Sequence, residues 1–264
     1  MEPTDSDSKH VTDHPAGMVA PPPIAADVAV VAALSIEVGD LIDQLKGVRR
    51  YLAASMPVIE GDLGGKIVVV GVCGVGRKAA RRGTEILLAG HRPRWVISAG
   101  FAGALSPALA RNDVVLPHRI LDLEGQSLPI DVPEGLLARC RSHRGRLLTV
   151  DHLIATAAEK AQLAQTHGAD LVDMESSAVA LACSERSVRF LSARVVSDDS
   201  RGDLAPEIAD LLAQSGSYRV GAALRALWKR PSSLKDFWRI HEHAIEAGDR
   251  LARLVAHCVE SLPV

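Results

Sequence analysis

Three acidic residues stand just beyond β-prone runs, where an α/β protein builds its sites. Glu37 lies four residues past Val28-Ala29-Val30-Val31-Ala32-Ala33, Glu175 follows Leu171-Val172-Asp173-Met174, and Asp198 closes Arg194-Val195-Val196-Ser197. Ligands of open α/β sheets bind outside the carboxyl ends of the strands, so neighbouring strands would bring all three carboxylates to one crevice. Carboxylates gathered there can move protons or accept hydrogen bonds from hydroxyl groups. Taken singly, each also reads as a helix cap or a solvated group.

A second constellation is Gly74-Val75-Gly76-Arg77-Lys78-Ala79, which follows a strand-like run and opens a helix-like one. It approaches the G-x-G-x-x-A fingerprint, in which a tight turn and a helix N-terminus receive a pyrophosphate. The fingerprint also requires an acid about 20 positions on, at the end of the next strand, to hold the ribose. That strand ends in Ile97-Ser98-Ala99-Gly100, without one. A tight strand-to-helix turn is the better reading, and an oxidoreductase binding NAD(P) is the weaker alternative.

The elements that must position these residues alternate along the chain. Continuous apolar runs at Val28–Ala33, Lys66–Val72 and Arg94–Ser98 fit strands covered on both faces. Further strands are expected at Asp113–Pro117, Leu147–Val150, Asp170–Val172 and Arg189–Val196. Helices are expected at Arg77–Leu88, Ala157–Gln165, Met174–Glu185, Pro206–Ala213 and, from its apolar spacing, Ser232–Ser261. Alternating strands and helices predict an α/β fold, a three-layer α/β/α sandwich around a central mixed sheet. Residues 1–25, polar and ending near three prolines, read as a disordered tail, and 26–264 as one domain with a C-terminal helical extension.

Composition narrows the function. The 264 residues carry 30 Lys+Arg against 32 Asp+Glu, a net charge of −2 that argues against a nucleic-acid partner. Aromatic residues are 3% of the chain, too few for base-stacking platforms. Cys73, Cys140, Cys183 and Cys258 form no CxxC, which fits reduced thiols in a cytoplasmic protein rather than a metal cluster or disulfide framework. No apolar run suggests a membrane anchor, and the N-terminus lacks the layout of a signal peptide. His241 and His243, spaced i, i+2, cannot share a helix face as a metal pair. His118 and His152 read as surface groups, His152 alternatively bordering a base site. The Arg201-Gly202-Asp203 string reads as chance.

Five strings occur in the order found in the purine nucleoside phosphorylase/nucleosidase family. They are Val28–Glu37, Gly74–Ala80, Ser98–Leu105, Val172–Ser176 and Arg194–Asp198. Across residues 27–202 the chain most resembles the 5′-methylthioadenosine/S-adenosylhomocysteine nucleosidases. Thr149-Val150-Asp151 and Ala158-Glu159-Lys160 are similar to the hopanoid-associated phosphorylase branch. The resemblance implies a cofactor-free, metal-free cytoplasmic homodimer in nucleoside metabolism and methionine salvage. It would cleave the N-glycosidic bond of a 5′-substituted adenosine and release adenine.

Glu37 matches the acid that activates the attacking water, and Asp198, beside Ser197, the acid that protonates purine N7. Met174 and Glu175 match the pair on the ribose. Leu153 and Ile154 fall on the apolar segment that reads the base. Ala99, Gly100, Phe101 and Ala102 fall on a glycine-rich loop beside the sugar. This chemistry needs Asp198 protonated and Glu37 and Glu175 ionised at neutral pH, through different environments for the acids.

Water is preferred over phosphate, because Leu34-Ser35-Ile36-Glu37 replaces the phosphate loop of classical purine phosphorylases. Arg77 and Lys78 are the alternative anion site. Phosphorolysis of a purine nucleoside or an adenosylhopane-type substrate remains the runner-up. Phe101 and Leu153 depart from the usual Ser and aromatic residue. They motivate the further alternative of a nucleoside-binding protein with little turnover.

Overall fold

The structure, a computed structural model, describes residues 25–203 and 234–263. The expected tail, up to residue 24, and the expected helix Pro206–Ala213 lie outside the described residues.

The first strand, β1 (Val28–Ala32), shows why the chain layers as it does. Val28, Val30 and Ala32 point into one apolar core, while Ala29 and Val31 point into another. Both faces must therefore be covered, as the unbroken apolar run predicts. A turn of 3₁₀ helix at Ser35–Glu37 and a short helix α1 (Gly39–Ile42) follow. The chain continues as β2 (Lys46–Ala53), β3 (Met56–Leu63), β4 (Lys66–Val72), α2 (Arg77–His91) and β5 (Trp95–Ala104). Next come β6 (Val114–Asp122), β7 (Ser127–Pro129), α3 (Leu136–Cys140), β8 (His143–Thr149) and α4 (Ala157–His167). The described residues end with β9 (Leu171–Asp173), α5 (Ser176–Ser184), β10 (Arg189–Asp198) and α6 (Leu234–Ser261).

The sheet is mixed, in the order β10-β6-β8-β9-β5-β1-β4-β3-β2, with β7 on the edge of β6. β10 also pairs with β5, so β5, β10, β6, β8 and β9 close into a ring while the other strands fan outward. α2 and α5 cover one face through Ala80, Leu87, Leu88, Val179 and Cys183. α6 covers the other through Leu251, Leu254, Val255, Cys258 and Val259. The expected C-terminal extension is thus part of the main core. Lys66 Nζ closes the last turn of α6, donating to the carbonyls of Val259 and Leu262 at 2.7 and 2.6 Å. The expected loop at Ala99–Ala102 is strand instead: β5 runs through Ala104 because β10 pairs with it residue by residue from Trp95 to Ala102 and again, past an extra residue, at Gly103.

The β2–β3 hairpin turns on Ala54 and Ser55, both at positive φ (47° and 69°). Asn-Gly suits such a turn better, because these residues enter the left-handed region at lower cost. Replacing Ala54-Ser55 by Asn-Gly is expected to raise stability by about 1 kcal/mol. A higher urea midpoint at unchanged slope would show it; a lower midpoint would refute it.

Candidate active site

Glu37 hangs from the 3₁₀ turn after β1 and is 6% exposed. Its Oε2 accepts the N–H groups of Ala33 at 2.9 Å and Leu34 at 2.8 Å, and its Oε1 accepts that of Phe101 at 3.1 Å. Gly100 is required beside it, since a Cβ there would lie 2.8 Å from Glu37 Oε1. Burial pushes the Glu37 pKa up, opposed by the Leu34, Phe101 and Ala33 N–H groups and by the charge of Arg194.

Glu175 sits at the start of α5, and its Oε1 accepts the Gly76 N–H at 2.6 Å. Gly76, at φ 96°, caps α2. The glycine turn that resembled a pyrophosphate cradle therefore aims its helix start at a carboxyl group of the protein itself. Burial, and then Asp173 and Glu37 nearby, push the Glu175 pKa up to about 8, against the Gly76 N–H and Arg194.

Arg194 lines the same space as the two acids, acting on both through its charge, and the sequence reading passed over it. It is 2% exposed, and its Nη2 lies 2.8 Å from Asp173 Oδ2 and 2.7 Å from both Ser98 Oγ and Ser176 Oγ. Its Nη1 donates to the Ser98 carbonyl at 3.0 Å, while its buried Nε has no hydrogen-bond partner among the described residues. Glu37, Cys73, Ser98, Gly100, Glu175 and Arg194 line one small cavity. It offers about 10 Å³ to the centre of a water molecule. That is the room one water requires and far less than a phosphate would fill.

Asp198 is not among the residues that line this small cavity. A bulge at Ser197 sets two residues of β10 against one of β5 and re-aims the side chain. Asp198 turns toward Gly103 and Lys160: its Oδ2 is 2.6 Å from Lys160 Nζ, and its Oδ1 accepts the Ser197 hydroxyl at 2.6 Å. The same Gly103 position also neighbours Val172, two residues before Met174. Met174, Ile154 and partly buried Leu153 pack in one apolar cluster with Val172. Asp198 therefore borders that cluster, while Glu37, Glu175 and Arg194 share the small cavity.

Glu37 and Glu175, expected to be ionised, are the acids whose pKa burial raises. Ala99 and Gly100 line the cavity, but Phe101 contributes only its N–H there while its ring packs against the main core. Ala102 is buried in that core, and its carbonyl lies 3.2 Å from Ser197 Oγ.

The alternative anion site is disfavoured at Arg77, whose guanidinium is 2.9 Å from Glu124 and 3.6 Å from Asp151. The Cys73 thiol is pushed up to about 12 by burial and by Glu175 and Glu37, so it is no nucleophile at neutral pH. His152 is exposed and pairs with Glu159 at 2.8 Å. Among the described residues there is no cluster suited to a metal ion, and no helix long and apolar enough to cross a membrane.

Glu175 makes stability depend on pH. Its proton is held more tightly in the fold, so its contribution is complete below its ordinary value of 4.5 and is lost as pH rises through about 8. Glu175→Gln should therefore melt progressively higher than the parent protein between pH 4.5 and 8.5. A constant difference in melting temperature would refute this.

A wider groove, of about 520 Å³, shares Ala33 and Cys73 with the small cavity. Leu34, Ile36, Met56, Pro57 and Ile86 make it largely apolar, and Arg82 supplies a cation.

A sequence model described as the phosphorylase superfamily matches residues 27–229. A 5′-methylthioadenosine/S-adenosylhomocysteine nucleosidase of Actinobacillus succinogenes is 26% identical over 209 residues, 70% of this chain and 91% of the relative. The fold is similar to that of an S-adenosylhomocysteine nucleosidase from Streptococcus pyogenes in complex with 5-methylthiotubericidin. That likeness has a TM-score of 0.70 at 20% identity and covers 91% of this chain and 98% of the other. It is also similar to futalosine hydrolase of Helicobacter pylori (TM-score 0.67, 15% identity, 89% and 97% covered).

Proposed function

The chain belongs to the phosphorylase superfamily, and from that footing we propose that it is an N-ribosyl hydrolase which splits a 5′-substituted adenosine into adenine and the free sugar. The observation that carries this reading is the one-water cavity between Glu37, Arg194 and Glu175. Water there is oriented by the Arg194 guanidinium and gives its proton to Glu37. Burial strengthens Glu37 as a base once it is ionised, bringing its proton affinity nearer the working pH. The water oxygen bonds to C1′, the glycosidic electron pair leaves with the base, and Asp198 supplies a proton to N7 of the purine. Glu175 takes the ribose hydroxyls, with Met174, Leu153 and Ile154 against the nucleoside. Stabilising opposite charges at the two ends of the breaking bond favours the transition state over the substrate.

The groove beside Leu34 and Met56 adjoins this cavity at Ala33 and Cys73 and takes the 5′ substituent. Its size suits groups larger than a methylthio group. The futalosine hydrolase likeness illustrates that one fold serves hydrolases of different names. A homodimer in the cytoplasm, acting in methionine salvage, belongs to the same proposal, and light scattering on the purified protein reads its assembly.

Incubation with 5′-methylthioadenosine and bulkier 5′-substituted adenosines, with and without phosphate, tests the reading. Adenine should appear at a rate indifferent to phosphate. A strict need for phosphate would assign phosphorolysis, and silence from every nucleoside would overturn the proposal.

A further inference from the structure

We infer that Lys160 is a positioning residue for the leaving-group acid, fixing Asp198 at the base side and locking it to the segment that follows β10. This rests on the role proposed above for Asp198. Lys160 is 0% exposed, an environment that lysine almost never occupies unless its charge is paired. All three of its donors are matched: Asp198 Oδ2 at 2.6 Å, the Asp199 carbonyl at 2.7 Å and the Gly202 carbonyl at 3.0 Å.

A second tie joins the same pieces of chain, as Asp203 Oδ1 accepts the Ala157 N–H at 2.7 Å. Ala157 opens α4, three residues after Ile154. Lys160 and Asp203 thereby hold α4, with Leu153 and Ile154 just before it, in one fixed relation to Asp198. A buried ion pair seldom adds stability over an apolar side chain of similar volume, so packing alone does not account for an ammonium here.

The charges explain what the ammonium contributes to the reaction. When a proton passes from Asp198 to N7, the pair becomes an ammonium beside a carboxylate, and the departing base is neutral. Lys160 thus opposes the charge that Asp198 acquires, and solvent restores the proton afterwards. Because Lys160 is bonded to Asp198 and to backbone, rather than placed against the base, its effect must pass through Asp198.

A double-mutant cycle with Lys160→Met and Asp198→Asn tests this. Lys160→Met alone should lower kcat about 30- to 100-fold, the scale of a small misplacement of a catalytic group, with KM changed less than threefold. In the Asp198→Asn background the same change should alter kcat by less than about twofold. Adenine affinity, measured by calorimetry, gives a readout independent of turnover: weakened about tenfold by Lys160→Met alone, and unaffected by it once Asp198 is asparagine. Lys160→Gln, which keeps polar donors without the charge, carries the same expectations should the methionine variant not fold. Additive losses in kcat and affinity would reduce Lys160 to a structural role and overturn the inference, leaving the hydrolase reading intact. A parent protein that neither cleaves the nucleosides nor binds adenine would overturn both.

Discussion

Glu37→Gln is expected to abolish all but a trace of adenine release, lowering kcat/KM by about 10²- to 10⁴-fold, the usual weight of a general base. The substitution keeps the side-chain volume, and its amide oxygen can still accept from Ala33 and Leu34. The amide nitrogen would meet the Phe101 N–H, so one hydrogen bond worth about 1 kcal/mol is lost while a costly buried charge is removed. Stability should therefore change little, and the lost activity should reflect chemistry. Adenine release by the folded variant within tenfold of the parent would remove Glu37 from its proposed role.

Arg194→Met has the largest expected effect on the fold. Its guanidinium answers Asp173, Ser98 and Ser176 at once. Without it, Asp173 retains the Thr149 hydroxyl at 2.7 Å and the Ser176 N–H at 3.0 Å, but its buried charge is no longer matched. Removing one partner of a buried ion pair costs about 3–5 kcal/mol. For a chain of this size that is roughly 10 °C in melting temperature. Adenine release should fall with it, even well below the new melting point, because the proposed mechanism relies on Arg194 to orient the water. A variant melting within 2 °C of the parent would show that Asp173 does not depend on Arg194.

Much of this was written in the sequence in a form that physics can read. The strands around the two cores announced themselves as runs of Val, Ile and Ala, and α6 through its spacing of apolar residues. β2 and β3 were missed because they carry their charges along the strand. Arg49 Nε and the Tyr51 hydroxyl reach across to buried Glu60 at 2.9 and 2.6 Å, so a pair of strands is held by polar contacts where an apolar run was sought.

Glu37 and Glu175 were found because carboxylates at strand ends are conspicuous. Arg194 offered a signal that went unused: an arginine between Ala193 and Val195, inside a strand otherwise fit for burial, must have partners waiting. The separate surroundings of Asp198 were not legible at all. They depend on a bulge at Ser197 and on a lysine whose place on α4 looks, in sequence, like any solvent-facing position.

The close approach of α6 to the turn that bears Glu37 has a consequence for how the protein comes to life. A Cβ at Gly248 would stand 3.0 Å from the Ile36 carbonyl, so the helix rests directly on the backbone next to Glu37. Residues made early in synthesis therefore reach the arrangement described here only when others made much later have docked on them.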